Sequence, residues 1–150
     1  MPFVEAEDLP ASGRLMALDV GDRTVGLAVS DPDRRVASPA GTVRRAKRFA
    51  DTAAMLLAAL DERDVAALVV GLPLDLDGRE GRRARQVRQF AVNLMAHRDL
   101  PALMWDERFS TNAVERAMLA DDATRRRRRA AKDTLAAVYI LQGFLDSLPG

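Results

Sequence analysis

Apolar residues recur along this chain with two periods, and the period switches about a third of the way in. Leu15-Met16-Ala17-Leu18 is a continuous apolar run, as in a strand covered on both faces. Gly21-Asp22 is a turn signal, and Thr24 to Ser30 reads as a second strand, with Gly26 marking a close approach. Arg35 to Ser38 gives a third, short strand. The connections are too short for helical crossovers, so these three strands form an antiparallel meander. From Phe49 the period becomes helical: Phe49, Ala53, Leu56, Leu57 and Leu60 share one face. Val65 to Val70 is a buried strand, Val87, Phe90, Ala91, Leu94 and Met95 mark a second helix, and Leu103 to Trp105 is another strand. Asn112 with Glu115 three residues on resembles a capping box, opening a third helix through about Leu119. A last helix runs from about Ala130 to Leu148. The order β-β-β-α-β-α-β-α-α predicts an α/β fold, a mixed five-stranded sheet with helices on both faces.

The 150 residues fit one domain, expected over 14–150, with 1–13 as a flexible N-terminal segment holding Pro2, Pro10 and Gly13. That segment lacks the basic start and apolar run of a signal peptide, and no apolar stretch reaches the ~20 residues of a membrane helix. The expected location is cytoplasmic, without a membrane partner. The chain has no cysteine and one histidine, His97, which excludes disulfides, thiol nucleophiles and multi-histidine zinc sites. His97 closes a helical stretch, where the macrodipole favours a cation.

Three carboxylates stand out. Asp19 ends the first apolar run, Glu107 follows the run Ala102-Leu103-Met104-Trp105 after Asp106, and Asp133 opens the apolar stretch from Thr134 to Leu141. Burying an ionised carboxylate is costly without a cation or hydrogen bonds. In the predicted architecture the strand carboxyl ends gather along one edge, where sites are normally built. Asp19 and Glu107 lie at such ends. Asp133 shares a helical stripe with Ala136, Ala137 and Ile140, whose small residues allow close approach to the sheet. Three converging oxygen ligands would favour Mg²⁺ or Mn²⁺. Three unrelated acids at element ends are the alternative.

The formal net charge of +1 hides an asymmetry: residues 79–88 carry a net of +4 and residues 123–132 a net of +6, on an otherwise acidic body. Such clusters are the footprint of a polyanion binder. Against this, only Lys47 and Lys132 are lysines, so the arginines also fit a codon-biased, solvated surface. Five adjacent like charges at Arg125 to Arg129 disfavour order without an anion, and this stretch is expected to be a loop or helix start, mobile until it binds.

Four segments together resemble the YqgF family, also called RuvX. They are Leu18-Asp19-Val20-Gly21-Asp22-Arg23-Thr24-Val25-Gly26; Gly71-Leu72-Pro73-Leu74 with Asp77-Gly78-Arg79-Glu80-Gly81; Asp106-Glu107-Arg108-Phe109-Ser110-Thr111; and Lys132-Asp133-Thr134-Leu135-Ala136-Ala137. The resemblance runs from about Arg14 to Asp146. It implies a ribonuclease H-like fold related to Holliday-junction resolvases, and a nuclease that matures the 5′ end of pre-16S ribosomal RNA. Carried over by position, Asp19, Glu107 and Asp133 become the catalytic acids. The family's usual Asn in its second motif is Asp75 here, an extra acid near the site.

The implied chemistry uses two ions, Mg²⁺ or Mn²⁺, on one scissile phosphate. Asp19, on the central strand, would bridge the ions, and Glu107 and Asp133 would each complete one shell. Arg23, Arg79, Arg82, Arg83, Arg108, Arg125, Arg126, Arg127, Arg128, Arg129 and Lys132 would hold the phosphate backbone of a structured RNA. Branched DNA cleaved by a resolvase dimer is a competing reading, the chain being a monomer or homodimer. A non-catalytic RNA-binding assembly factor is another. A sugar-kinase-like ATPase would need a second domain to enclose the nucleotide.

Overall fold

The computed structural model describes residues 3–108 and 125–149, with side chains from 134 onward in the second stretch. The elements are β1 (Arg14–Val20), β2 (Thr24–Ser30), β3 (Ala37–Arg44), α1 (Phe49–Glu62), β4 (Val65–Leu72), α2 (Arg82–His97), β5 (Ala102–Asp106) and α3 (Arg125–Ser147). The helix expected near Asn112 to Leu119 lies outside the described residues.

The five strands form one mixed sheet in the order β3-β2-β1-β4-β5. The β1–β2–β3 meander is antiparallel, and β4 and β5 add in parallel, so β1 is central. Strand alternation divides the core. Met16, Leu18, Val25, Leu27, Leu68 and Val70 face α1 and α2. Leu15, Ala17, Ala28, Ala67, Val69 and Leu103 face α3 through Ala137, Ile140, Leu141 and Phe144. Each fully buried Leu or Ile contributes about 1.5–3 kcal/mol. The small residues Ala17, Ala28 and Ala67 line the α3 face, as close helix approach requires.

Three boundaries differ from the sequence reading. β3 runs to Arg44 rather than ending at Ser38. Its Pro39 and its Gly41 (φ +93°) read as turn residues but are tolerated on an edge strand, where a register shift accommodates them. α3 begins at Arg125 rather than about Ala130, so the arginine run is helical backbone. Arginine is a good helix former. The residues from Phe3 onward lie against the sheet instead of trailing from it: Phe3 bridges Ala102, and Val4 N–H donates to Ala102 O at 2.9 Å. Among the described residues, no helix is long and apolar enough to cross a membrane.

Candidate active site at the carboxyl edge of the sheet

Alternation decides where the acids go. Asp19 continues the Leu15–Ala17 series onto the α3 face of β1, and Glu107 continues Leu103–Trp105 onto the same face beyond β5. Glu107 N–H donates to Leu72 O at 3.1 Å, which extends the β4–β5 ladder one step past Asp106 and fixes where the side chain leaves the backbone. Between the two acids lies Gly71 of β4. A Cβ placed there would stand 2.6 Å from Glu107 Oε1 and 2.5 Å from Ile140 Cδ1. Gly71 therefore supplies the space in which the Glu107 carboxylate reaches across β4 toward Asp19.

The two carboxylates lie close enough to interact directly. Glu107 is pushed up to about 7, chiefly by burial, then by the charge of Asp19 and their hydrogen bond; Arg83 pulls it down, and Asp106 adds a smaller upward push. An acid pair this crowded is the environment a divalent cation relieves, because the cation lets both groups ionise.

The backbone of α3 reaches the same edge. Thr134 Oγ1 hydrogen-bonds Thr42 Oγ1 at 3.0 Å, while eight residues on Gln142 accepts from Ala37 N–H at 2.9 Å. Helix α3 thus runs antiparallel to β3 with its early turns at the carboxyl edge. Thr42 pairs with Gly26, and Gly26 with Asp19, so Thr134 and its neighbour Asp133 stand at the level of Asp19 across the sheet. Asp133 lies in the third turn of α3 by position, not at its opening. Its side chain is outside the described residues. Among those residues no group of three potential metal ligands occurs; the pair Asp19–Glu107 does.

The basic candidates separate into four groups. Arg83 donates to Asp22 Oδ1 at 2.7 Å and to Val20 O at 3.2 Å, which binds the start of α2 to the end of β1 and keeps its charge within reach of Glu107. Arg108 forks onto Asp106, with Nη2 to Oδ2 at 2.6 Å, and reaches Leu76 O at 3.4 Å. It therefore braces the loop after β4, away from the acid pair. Arg79 meets Asp77 at 3.4 Å and is largely exposed; Arg82 and Arg23 are exposed with no side-chain partner among the described residues. Arg125 to Arg129 and Lys132 are placed by helix backbone alone. In the loop between β4 and α2, Asp75 approaches the N-terminal Gly81 of α2, its oxygens 3.1 Å from where a Cβ would sit, so its charge faces the positive end of that helix.

Sequence reasoning missed the roles of Gly71, Asp22 and Asp106. Gly71 had a signal, a glycine ending an otherwise β-branched strand. The Asp22–Arg83 pair, 61 residues apart, had none.

The sheet order and the crossing helix form a ribonuclease H-like fold. A solved structure, T. thermophilus RuvC in complex with Holliday junction substrate, superposes with a TM-score of 0.58 at 15% identity, covering 89% of this chain and 95% of that one. Residues 13–147 match the sequence pattern of RuvX, described as Holliday junction resolvase, and the chain belongs to this family. It is 48% identical to a Paramagnetospirillum magneticum protein over 100% of this chain and 99% of that one, and 54% identical to a Rhodospirillum centenum protein over 93% and 77%. Both carry the name "Putative pre-16S rRNA nuclease".

Proposed function

We propose that this protein is a metal-dependent endonuclease that hydrolyses phosphodiester bonds in RNA, with the 5′ end of pre-16S ribosomal RNA as its substrate. The observation that carries the reading is the Asp19–Glu107 pair, crowded together on the α3 face of a ribonuclease H-like sheet. The names of the relatives supply the substrate class. Asp133, level with Asp19 on α3, is the third acid of this proposal.

The donor set fits hard divalent cations, being oxygen only. Two bound Mg²⁺ or Mn²⁺ ions would supply an activated water and stabilise the leaving oxygen. Asp19 would be shared between the ions, with Glu107 and Asp133 completing one shell each. Glu107 at about 7 must give up its proton for this, so ion binding and proton release are linked. Arg83, held by Asp22 and Val20, keeps a fixed positive charge beside the acids, where a phosphate would approach. The exposed Arg79, Arg82 and Arg23, with the arginines of α3, provide sequence-independent backbone contacts.

The test is cleavage of a precursor RNA spanning the 16S 5′ end, beside a four-way DNA junction, with and without Mg²⁺. RNA cleavage that needs Mg²⁺ and disappears in Asp19→Asn is the expected result. Junction cleavage alone would move the assignment to a resolvase, which the description of the family favours. Binding of RNA without cleavage under any metal would leave an assembly factor. Mg²⁺ should also raise the melting temperature of the wild type by a few degrees, on the order of 2–4 °C per kcal/mol of binding, and not that of Asp19→Asn.

A further inference from the structure

On the opposite face of β1 from the acid pair lies a cavity of about 330 Å³ that the reaction above does not use. Asp19 and Val20 are consecutive, and alternation sends Asp19 to the α3 face and Val20 into this cavity. Its floor is Val20, Val87 and Phe90, and its walls come from α1, α2 and the segment between β3 and α1. Asp22, Arg83 and Gln86 line it and also line an adjoining hollow, to which Arg82 is added. A continuous track therefore leads from the arginine beside Glu107, over the sheet edge, and down between α1 and α2.

The lining has the composition that recognises a nucleobase. Arg45 lies over the Phe90 ring at 4.9 Å and donates to Gly21 O at 2.9 Å, so its planar guanidinium is held in place. Phe49 meets Phe90 edge-on at 5.2 Å and is itself only partly buried. Flat cations and aromatic rings are the surfaces on which unpaired bases stack. Along the rim stand three amides, Gln86, Gln89 and Asn93, one helical turn apart on the exposed side of α2. Gln89 Nε2 donates to Asn93 Oδ1 at 2.8 Å, which leaves the Asn93 amide hydrogens and the Gln89 carbonyl oxygen for a ligand, and Gln86 has no side-chain partner among the described residues. Amides of this kind offer paired donors and acceptors to base edges. The cavity falls at the lower end of the range for small-ligand pockets, about 300–1,000 Å³.

We propose that this groove receives an unpaired nucleobase of the substrate strand, next to the phosphate held at the acid pair. The base stacks on Arg45 and Phe49 and presents its edge to Gln86, Gln89 and Asn93. Arg83 spans the adjoining phosphate. The inference rests on the nuclease reading and adds to it a requirement for single-stranded RNA beside the cut.

Binding is measured in the Asp19→Asn background, so that cleavage does not intervene. Labelled single-stranded RNA and a blunt RNA hairpin are titrated at one fixed salt concentration. Gln86→Ala/Asn93→Ala replaces two exposed side chains, and an unchanged melting curve certifies the fold. Single-strand affinity should fall roughly tenfold, as for loss of one base contact, with the hairpin within about twofold. Photo-crosslinking of 4-thiouridine RNA to peptides of α2 should fall in parallel. Equal loss on both RNAs, or no loss on either, overturns the inference. If the parent chain binds no RNA at all, the nuclease reading falls with it. If it binds and Mg²⁺-dependent cleavage requires Asp19, yet the groove variant binds single strands normally, only the groove is refuted.

Discussion

Asp106 and Glu107 leave the end of β5 toward opposite faces of the sheet, one residue apart. Burial pushes Asp106 up, but the Arg108 side chain and backbone N–H that bond it outweigh this, and its pKa ends below the ordinary carboxylate value. Glu107 meets burial too, and beyond it the carboxylate of Asp19, which the charge of Arg83 does not offset, and ends at about 7. The same strand end thus carries one acid bonded to an arginine and one crowded against a second acid. Alternation along β5 produces the difference.

The largest test of this contrast is activity. Glu107→Gln and Asp19→Asn should each lower cleavage by at least about 10³-fold, the several kcal/mol a lost metal ligand removes. Asp106→Asn should stay within about tenfold, because Asp106 only positions Arg108 and the loop at Leu76. Equal losses in a cleavage assay would erase the distinction.

Next comes the space between the strands. Gly71→Ala should destabilise the fold by about 1–3 kcal/mol, as overpacking does, and should reduce cleavage as well, because Glu107 and Ile140 must both yield. Denaturant unfolding and cleavage rates on one preparation check this. A stable, fully active Gly71→Ala would show that Glu107 does not need the gap.

The pH dependence of stability sharpens the contrast further. Glu107 is raised in the folded chain, so its stabilising protonated form is fully present below about 4.5 and is lost as pH rises through about 7. Metal-free wild type should therefore weaken between pH 5 and 8, by on the order of 2 kcal/mol, and Glu107→Gln should flatten that slope. Asp106 is lowered, so its contribution exists above the ordinary carboxylate pKa and is lost as pH falls through its folded value. Asp106→Asn should cost under about 1 kcal/mol near neutrality, in keeping with a partly exposed pair. Urea midpoints across the pH range measure both.

The smallest effect per residue belongs to the arginines. Replacing Arg125 to Arg129 by Gln should flatten the dependence of log affinity on log salt by about 0.7–0.9 per lost phosphate contact. Equal slopes would make the run a solvated helix face.

Much of this fold was legible because its core strands are apolar runs and its helices keep a clean period. Asp19 and Glu107 could be chosen from sequence, since each ends such a run. What was not legible depended on neighbours distant in the chain. The length of β3 is set by pairing with β2 from Thr24 to Ser30, which overrides Pro39 and Gly41. The start of α3 was hidden by a charge run that looks unfavourable in isolation. Arg108 was read as a backbone-phosphate contact but pairs with Asp106, because its direction depends on where β5 stops. The groove around Phe49 and Gln86 combines elements whose apolar positions simply read as core.

Gly71 also bears on how such a centre can be inherited. Glu107 fills a volume that the adjacent strand declines to fill, so the acid in this place is not tied to β5. A carboxylate carried by residue 71 itself, with Ile140 shortened to admit it and position 107 emptied, would project from β4 into the same volume beside Asp19. The site is in this sense an address on the sheet that two strands can serve.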